Sequence, residues 1–303
     1  MSQGNEMLLN RFQGCLLGLA IGDAVGTTLE FKPRGSFEPM VDMVGGGPFN
    51  LKPGQWTDDT SMALCLAQSL LYCQGFNPQD QMNRYCDWWK SGYMSSNGRC
   101  FDIGMTVLSA LDQYLKTQDP YSGSVDPMSA GNGSLMRLAP IPLFYFDRFP
   151  EMIKYAAESS RTTHGAAECI DACKYYSSLI YAALQGEDKS SILTDGRYQP
   201  ETEGVSRIAS GEYRFKKVDQ IIGSGYVINS MEAALWCFAH TDTYKDAVLA
   251  AANLGGDADT TAAITGQLAG AHYGLSLIPE SWVNSVAEKE LLFDLSDRLL
   301  RKA

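Results

Sequence analysis

Apolar residues recur at three- and four-residue intervals along most of this chain, the period of helices that turn one face to a core. The pattern predicts helices over 11–25, 61–72, 79–91, 103–116, 151–158, 166–184, 230–239, 244–253 and 261–273. Clean period-two alternation flanked by hairpin turns is scarce, so the expected fold is all-α, a compact helical bundle. Glycine and proline interrupt the pattern at Gly45-Gly46-Gly47-Pro48, from Asp119-Pro120 to Gly133, and across 195–225. The last stretch opens on the polar run Asp195 to Gly204 and reads as a long loop inside one domain spanning 1–303, with a domain boundary as the alternative. A single domain is preferred because an acidic cluster beyond the loop has to pack against one before it.

Those clusters are Thr57-Asp58-Asp59-Thr60 and Asp257-Ala258-Asp259-Thr260, about 200 residues apart, each directly before a run of small and apolar residues. One Asp at such a place is a helix cap, its carboxylate accepting an N–H that the first turn leaves unpaired. A second Asp at each start exceeds that need. If the two starts converge, four carboxylates lie together, and the protein either protonates some of them or binds metal. The adjoining Thr hydroxyls complete an all-oxygen donor set without Cys or His, which suits Mg²⁺ or Mn²⁺ better than zinc. The other reading, two heavily decorated helix caps, stays open on these residues alone.

Composition narrows the class. A chain of 303 residues with 45% hydrophobic and 19% charged residues has the make-up of a folded enzyme rather than a disordered segment. A net charge of −11 with no Lys/Arg-rich stripe argues against nucleic-acid binding, and bound metal would offset part of it. The eight cysteines are scattered without a C-x-x-C pair and read as reduced core residues of a cytoplasmic protein. Cys169 and Cys173, one helical turn apart, have no partner pair for a metal and are assigned to packing. The apolar stretch Leu16–Ile21 is too short to span a bilayer and is soon broken by Asp23, so no membrane is expected. Motifs for a nucleoside-triphosphate loop, a His-Glu-x-x-His zinc site and a Gly-x-Ser-x-Gly nucleophile are absent from the sequence.

Several motifs, taken in order, resemble the ADP-ribosylglycohydrolase family. They are Gly14 to Ala24, Trp56-Thr57-Asp58-Asp59-Thr60, Gly131-Asn132-Gly133-Ser134-Leu135-Met136-Arg137, Thr163-His164, Gly223-Ser224-Gly225-Tyr226-Val227 and Asn253 to Thr261. The resemblance runs from about Phe12 to Trp282, and the ordered set is specific where any single piece is weak. It implies an orthogonal helical bundle with two Mg²⁺ or Mn²⁺ ions in a central cleft. Carried over position by position, it makes Thr57, Asp58, Asp59, Asp257, Asp259 and Thr260 the metal ligands, all of the expected residue types.

The same resemblance gives other residues their expected roles. Glu30 takes the place of an acidic residue near the metals and the scissile bond, and with Asp58 and Asp259 is expected to be catalytic. It would orient the attacking water or protonate the leaving group; its alternative is a solvated loop Glu. Asp102 resembles an acidic position that reaches metal or substrate, with an N-cap as its alternative. Gly131, Asn132, Gly133 and Ser134 are expected to present backbone N–H groups to the diphosphate or ribose, and Arg137 to pair with a structural carboxylate. His164 is expected near the ribose, and Gly225 and Tyr226 near the adenosine, with the Tyr226 ring stacking on adenine. His240 and His272 are read as structural.

The activity so implied is hydrolysis of the bond between C1 of the distal ribose of ADP-ribose and a modified protein side chain, arginine slightly favoured, by water held at the metals. Two alternatives are carried with it. One is a hydrolase of a small ADP-ribose derivative; the other is a binding protein that blocks an ADP-ribosylating toxin.

Overall fold

Glycines 14, 18, 22 and 26 recur every fourth residue on one face of the first helix, and that face sets the arrangement of the others. The computed structural model describes residues 3–302. Its helices are, in order, α1 (Gln3–Gly26), α2 (Asp58–Cys73), α3 (Pro78–Ser91), α4 (Met105–Thr117), α5 (Pro140–Phe144), α6 (Phe149–Arg161) and α7 (Ala167–Leu184). They continue as α8 (Lys189–Ile192), α9 (Glu203–Ala209), α10 (Val227–Ala239), α11 (Tyr244–Ala252), α12 (Ala258–Tyr273), α13 (Glu280–Ser285) and α14 (Lys289–Leu300). Among the described residues there is no sheet, only isolated bridges, and the all-α expectation holds.

Helices α1 and α12 lie antiparallel with their backbones in contact. A methyl group at Gly14 would come within 2.3 Å of the Gly270 carbonyl oxygen, at Gly18 within 2.4 Å of that of Gly266, and at Gly22 within 2.2 Å of that of Ala262. Such separations exclude any side chain there, so the sequence meets them with glycine on α1 and Ala262, Gly266 and Gly270 on α12. Around this pair the core closes on all sides. Leu16, Leu17, Leu19, Ile21 and Val25 of α1 are fully buried, as are Ala262, Ile264 and Leu268 of α12. By length and mean hydropathy (1.3) Gly4–Leu29 would qualify to cross a membrane, but 89% of its most apolar 18-residue window is buried inside the protein, which marks a core helix.

Five helices lie outside the sequence-based expectation: α5, α8, α9, α13 and α14. All but α14 are shorter than two turns and show no full period. α14 carries a readable stripe, Leu292, Leu295 and Leu299, which packs against α1, α2 and α5. The long loop expected over 195–225 is not structureless: it holds α9 and two 3-10 turns, Glu212–Phe215 and Val218–Gln220. Buried Asp171 pins its first part, accepting from Tyr198 Oη (2.7 Å), Thr202 N (2.7 Å) and Thr202 Oγ1 (2.6 Å). Arg34 pins its end, donating to the carbonyls of Val218, Ile221 and Leu254.

The seam between α1 and α12 is testable by adding one carbon. Gly18→Ala is expected to cost about 1–3 kcal/mol or more through forced separation of the helices, while Gly4→Ala, where a Cβ meets nothing within 4 Å, should change stability by less than about 1 kcal/mol. Denaturant unfolding of both variants decides it; equal stability would contradict the packing.

Candidate metal centre

Asp23 begins the construction of the site. It sits on α1 one residue after Gly22, fully buried, and accepts from Thr57 N (2.9 Å), Thr57 Oγ1 (2.9 Å), Thr60 N (3.1 Å) and Thr60 Oγ1 (2.6 Å). It therefore caps α2 from a neighbouring helix. The side chains of the N-cap residues themselves, Thr57 of α2 and Asp257 of α12, make no capping hydrogen bond. Of the paired carboxylates only Asp259 meets a first-turn N–H, Oδ1 accepting from Thr260 N at 2.7 Å, so helix capping does not account for Asp58, Asp59 and Asp257. Asp23 was not singled out as a site residue from the sequence. Its signal was a charge inside an otherwise apolar helix, a place where an Asp needs dedicated partners.

The two helix starts converge. Oxygens of Asp23, Asp59 and Asp259 lie within 4.8 Å of one another, and so do those of Glu30, Asp102 and Asp259. Thr57 Oγ1 is 3.4 Å from Asp259 Oδ2, and Thr260 Oγ1 donates to Asp59 Oδ1 at 3.2 Å. Asp257 Oδ2 accepts from Asn132 Nδ2 at 2.7 Å, tying the cluster to the glycine-rich loop. Glu30, Asp58, Asp59 and Asp259 are buried, and none of the ion pairs among the described residues reaches any member of the cluster. Asp59 Oδ2 and Glu30 Oε2 are buried without a hydrogen-bond partner.

Burial and mutual repulsion both disfavour the charged forms. Burial, then Asp102 and Asp257, pushes Glu30 up to about 9. Burial is also the first cause at Asp102, raised to about 7, and at Asp23, raised to about 6 against the pull of its Thr donors. Asp58, Asp59 and Asp259 are raised well above the ordinary carboxylate range, again first by burial. Oxygen donors only, in excess of their protein partners and with orphaned buried oxygens aimed inward, fit a hard divalent cation. The cluster has the donor set of a metal-binding centre.

It forms the floor of a cleft of about 620 Å³, lined by Glu30, Asp58, Asp102, Gly131–Gly133, His164, Gly223–Gly225, Asp257 and Thr260 among others. The Gly131 segment is clipped to the Gly225 segment by Asn132 N donating to Gly225 O and Val227 N to Ala130 O, both at 3.0 Å. Beneath it lies the His164 ring. A Cβ at Gly133 would sit 2.6 Å from His164 Cε1, so the glycine is required by this close approach. Arg137 donates to Thr163 Oγ1 (2.8 Å), which leaves the Thr hydroxyl hydrogen for His164 Nδ1 (2.8 Å). That chain assigns the ring proton to Nε2, on the side of Gly131. Burial, with Arg137 nearby, pushes His164 down to about 3, so it is a neutral donor.

Other expected positions lie elsewhere. The Ser134 hydroxyl is turned into the core, accepting from Ser160 Oγ and Cys173 Sγ, and does not line the cleft. Arg137 pairs with no carboxylate; it is fully buried on the Gly133 carbonyl and the Tyr85 ring. Asp102 is no N-cap, since α4 begins after Gly104, and its backbone holds a left-handed φ of 60°. Tyr226 faces an adjoining recess of about 640 Å³ rather than the main cleft, its hydroxyl donating to Glu168 Oε2 at 2.6 Å. Cys169 and Cys173 are buried thiols under the glycine loop. His240 stacks on Trp236, and His272 packs edge-on against Phe238.

A bundle of helices around a buried carboxylate centre and a glycine-walled cleft defines a class of metal-binding hydrolases, and comparison with known proteins makes it specific. Residues 5–303 match the family described as ADP-ribosylglycohydrolase. The chain is 43% identical over 295 residues to ADP-ribosylarginine hydrolase Tri1 of Serratia proteamaculans (strain 568), covering 97% of this chain and 80% of that protein. It is 44% identical over 298 residues to Tri1 of Pseudomonas putida (strain GB-1), covering 98% and 80%. Similarity to the ADP-ribosyl-(dinitrogen reductase) glycohydrolase of Rhodospirillum rubrum is 32% over 289 residues, covering 92% and 91%. A solved structure described as an ADP-ribosylglycohydrolase-related protein complex superposes with a TM-score of 0.88 at 40% identity, over 98% of this chain and 99% of that one. The chain belongs to the ADP-ribosylglycohydrolase family.

Because the carboxylates favour the proton-bound fold in the absence of metal, stability should depend on pH and cation together. Groups raised above their usual 3.8 or 4.5 stabilise the fold below those values, and that contribution is lost as pH rises through about 6 (Asp23), 7 (Asp102) and 9 (Glu30). The Tm of metal-free protein is therefore expected to fall from about pH 5 to 9, and saturating Mg²⁺ or Mn²⁺ to remove most of the fall. A metal-free Tm that is flat over this range and indifferent to either cation would contradict the assignment.

Proposed function

We propose that this chain removes ADP-ribose from ADP-ribosylated arginine side chains of proteins, with a pair of Mg²⁺ or Mn²⁺ ions held by Thr57, Asp58, Asp59, Asp257, Asp259 and Thr260. The observation that carries the reading is the convergence of both acidic clusters on the floor of one cleft whose wall is the Gly131–Gly133 loop. Similarity to proteins named ADP-ribosylarginine hydrolase supports arginine as the acceptor. Bound at these ligands, the cations supply Lewis acidity that acidifies water and polarises the ribose hydroxyls.

The chain's own residues do the rest. The Gly133 backbone N–H, the one in the glycine loop not already donating within the chain, and the Nε2–H of neutral His164 receive the diphosphate and ribose oxygens, both as donors. Asn132, which also holds Asp257, keeps that loop in register with the carboxylates. As the C1–N bond breaks, positive charge grows on C1 and the ring oxygen, and the surrounding carboxylates stabilise it. Water adds to C1 and gives its proton to the carboxylate cluster. Glu30, at the edge of the cluster, hands its proton to the departing guanidine nitrogen. The products are ADP-ribose and unmodified arginine.

Asp257→Ala removes one ligand at a half-buried position and is expected to lower ADP-ribose release more than a hundredfold, with a far-UV spectrum like that of the parent chain. Release is measured with an ADP-ribosylated arginine peptide in Mg²⁺ and in Mn²⁺. Retained turnover in the variant, or full turnover of the parent in excess chelator, would overturn the proposal.

A further inference from the structure

We propose that Phe31 recognises the acceptor, its ring face receiving the guanidinium of the modified arginine where that group leaves the cleft. This rests on the reading of the chain as an arginine-directed hydrolase and adds a residue that selects the leaving group. Phe31 follows Glu30 directly and is 67% exposed, an apolar side chain left in water beside a buried acid. The exposure is built into the backbone. Phe31 holds a left-handed φ of 61°, which a residue with a Cβ rarely adopts, and its N–H donates to Gly256 O at 2.7 Å while Gly256 N donates to Lys32 O at 2.9 Å. Two hydrogen bonds to the segment that leads into Asp257 thus hold the ring outward. Strain kept at a pinned position is a mark of sites that use it.

Two cavities meet at this side chain. Glu30 and Phe31 line the main cleft, and the same two residues line a shallower recess of about 310 Å³ with Lys32, Gly47 and Pro48. The glycine loop and His164 wall the main cleft and are absent from the recess lining. With the diphosphate on the glycine loop and the ribose over the carboxylates, the substituent on C1 departs past Glu30 into the recess. A guanidinium there meets the π face of Phe31 on one side and the negative field of the neighbouring carboxylate cluster on the other. A planar, weakly hydrated cation is favoured by both. A neutral serine hydroxyl gains from neither, so the arrangement selects arginine over serine.

The test compares substrate and product, since free ADP-ribose lacks the acceptor. In Phe31→Ala the KM for an ADP-ribosylated arginine peptide is expected to rise roughly tenfold, with kcat and the Kd for ADP-ribose close to those of the parent chain. Phe31→Trp should keep the parent KM. An unchanged KM in Phe31→Ala, or a loss of ADP-ribose affinity parallel to the loss for the peptide, would overturn this inference and leave the proposed function standing. A parent chain that releases ADP-ribose from serine but not from arginine would overturn both.

Discussion

Backbone contact between α1 and α12 is the constraint on which the rest of the structure depends. Without side chains at Gly14, Gly18, Gly22 and Gly26, the two helices approach until carbonyl oxygens of one lie where Cβ atoms of the other would be. The consequence reaches the chemistry through one residue. Asp23 stands next to Gly22, and the approach of α12 brings Asp259 within a few ångströms of it, while Asp23 itself gathers the start of α2 through Thr57 and Thr60. A seam of glycines therefore sets the spacing of a carboxylate cluster contributed by α1, α2, α12 and the loops carrying Glu30 and Asp102.

Such a cluster is costly to the fold that holds it. Buried carboxylates lacking basic partners have to find compensation, and a protein that wanted only stability would have placed apolar residues or a Lys among them. A bound cation would supply that compensation from outside the chain and link the fold to its ligand: an ion that completes the donor set also relieves the repulsion. The cleft above sets this negative floor against a wall that carries the Gly133 N–H and the neutral His164 ring. Phosphate and ribose call for opposite polarities, and the two faces supply them.

Much of this was legible in the sequence because it is written in short range. Helical periods marked the long helices, and paired Asp residues at two helix starts marked the centre before any partner was known. What was not legible depends on tertiary approach. Asp23 reads as a flaw in an apolar helix until α2 is seen resting on it. Ser134 shares a motif with Gly133, yet its hydroxyl is taken up in the core by Ser160 and Cys173, partners that only the folded chain brings to it. Arg137 reads as the partner of a structural carboxylate until its donors are traced to Gly133 and Thr163, where it orients His164 instead. The helices of 195–225 were hidden because α9 has only seven residues, and its neighbours are held by Asp171 and Arg34 from elsewhere in the chain.

The central claim is that the α1/α12 seam places a cation centre under a site for ADP-ribose. Crystals grown with Mn²⁺ and ADP-ribose, measured at the manganese absorption edge, test it most directly. The account predicts anomalous peaks among Asp58, Asp59, Asp257 and Asp259, with the distal ribose beside them and the diphosphate on the Gly131–Gly133 loop. Manganese elsewhere, or ADP-ribose bound away from this cluster, would contradict it.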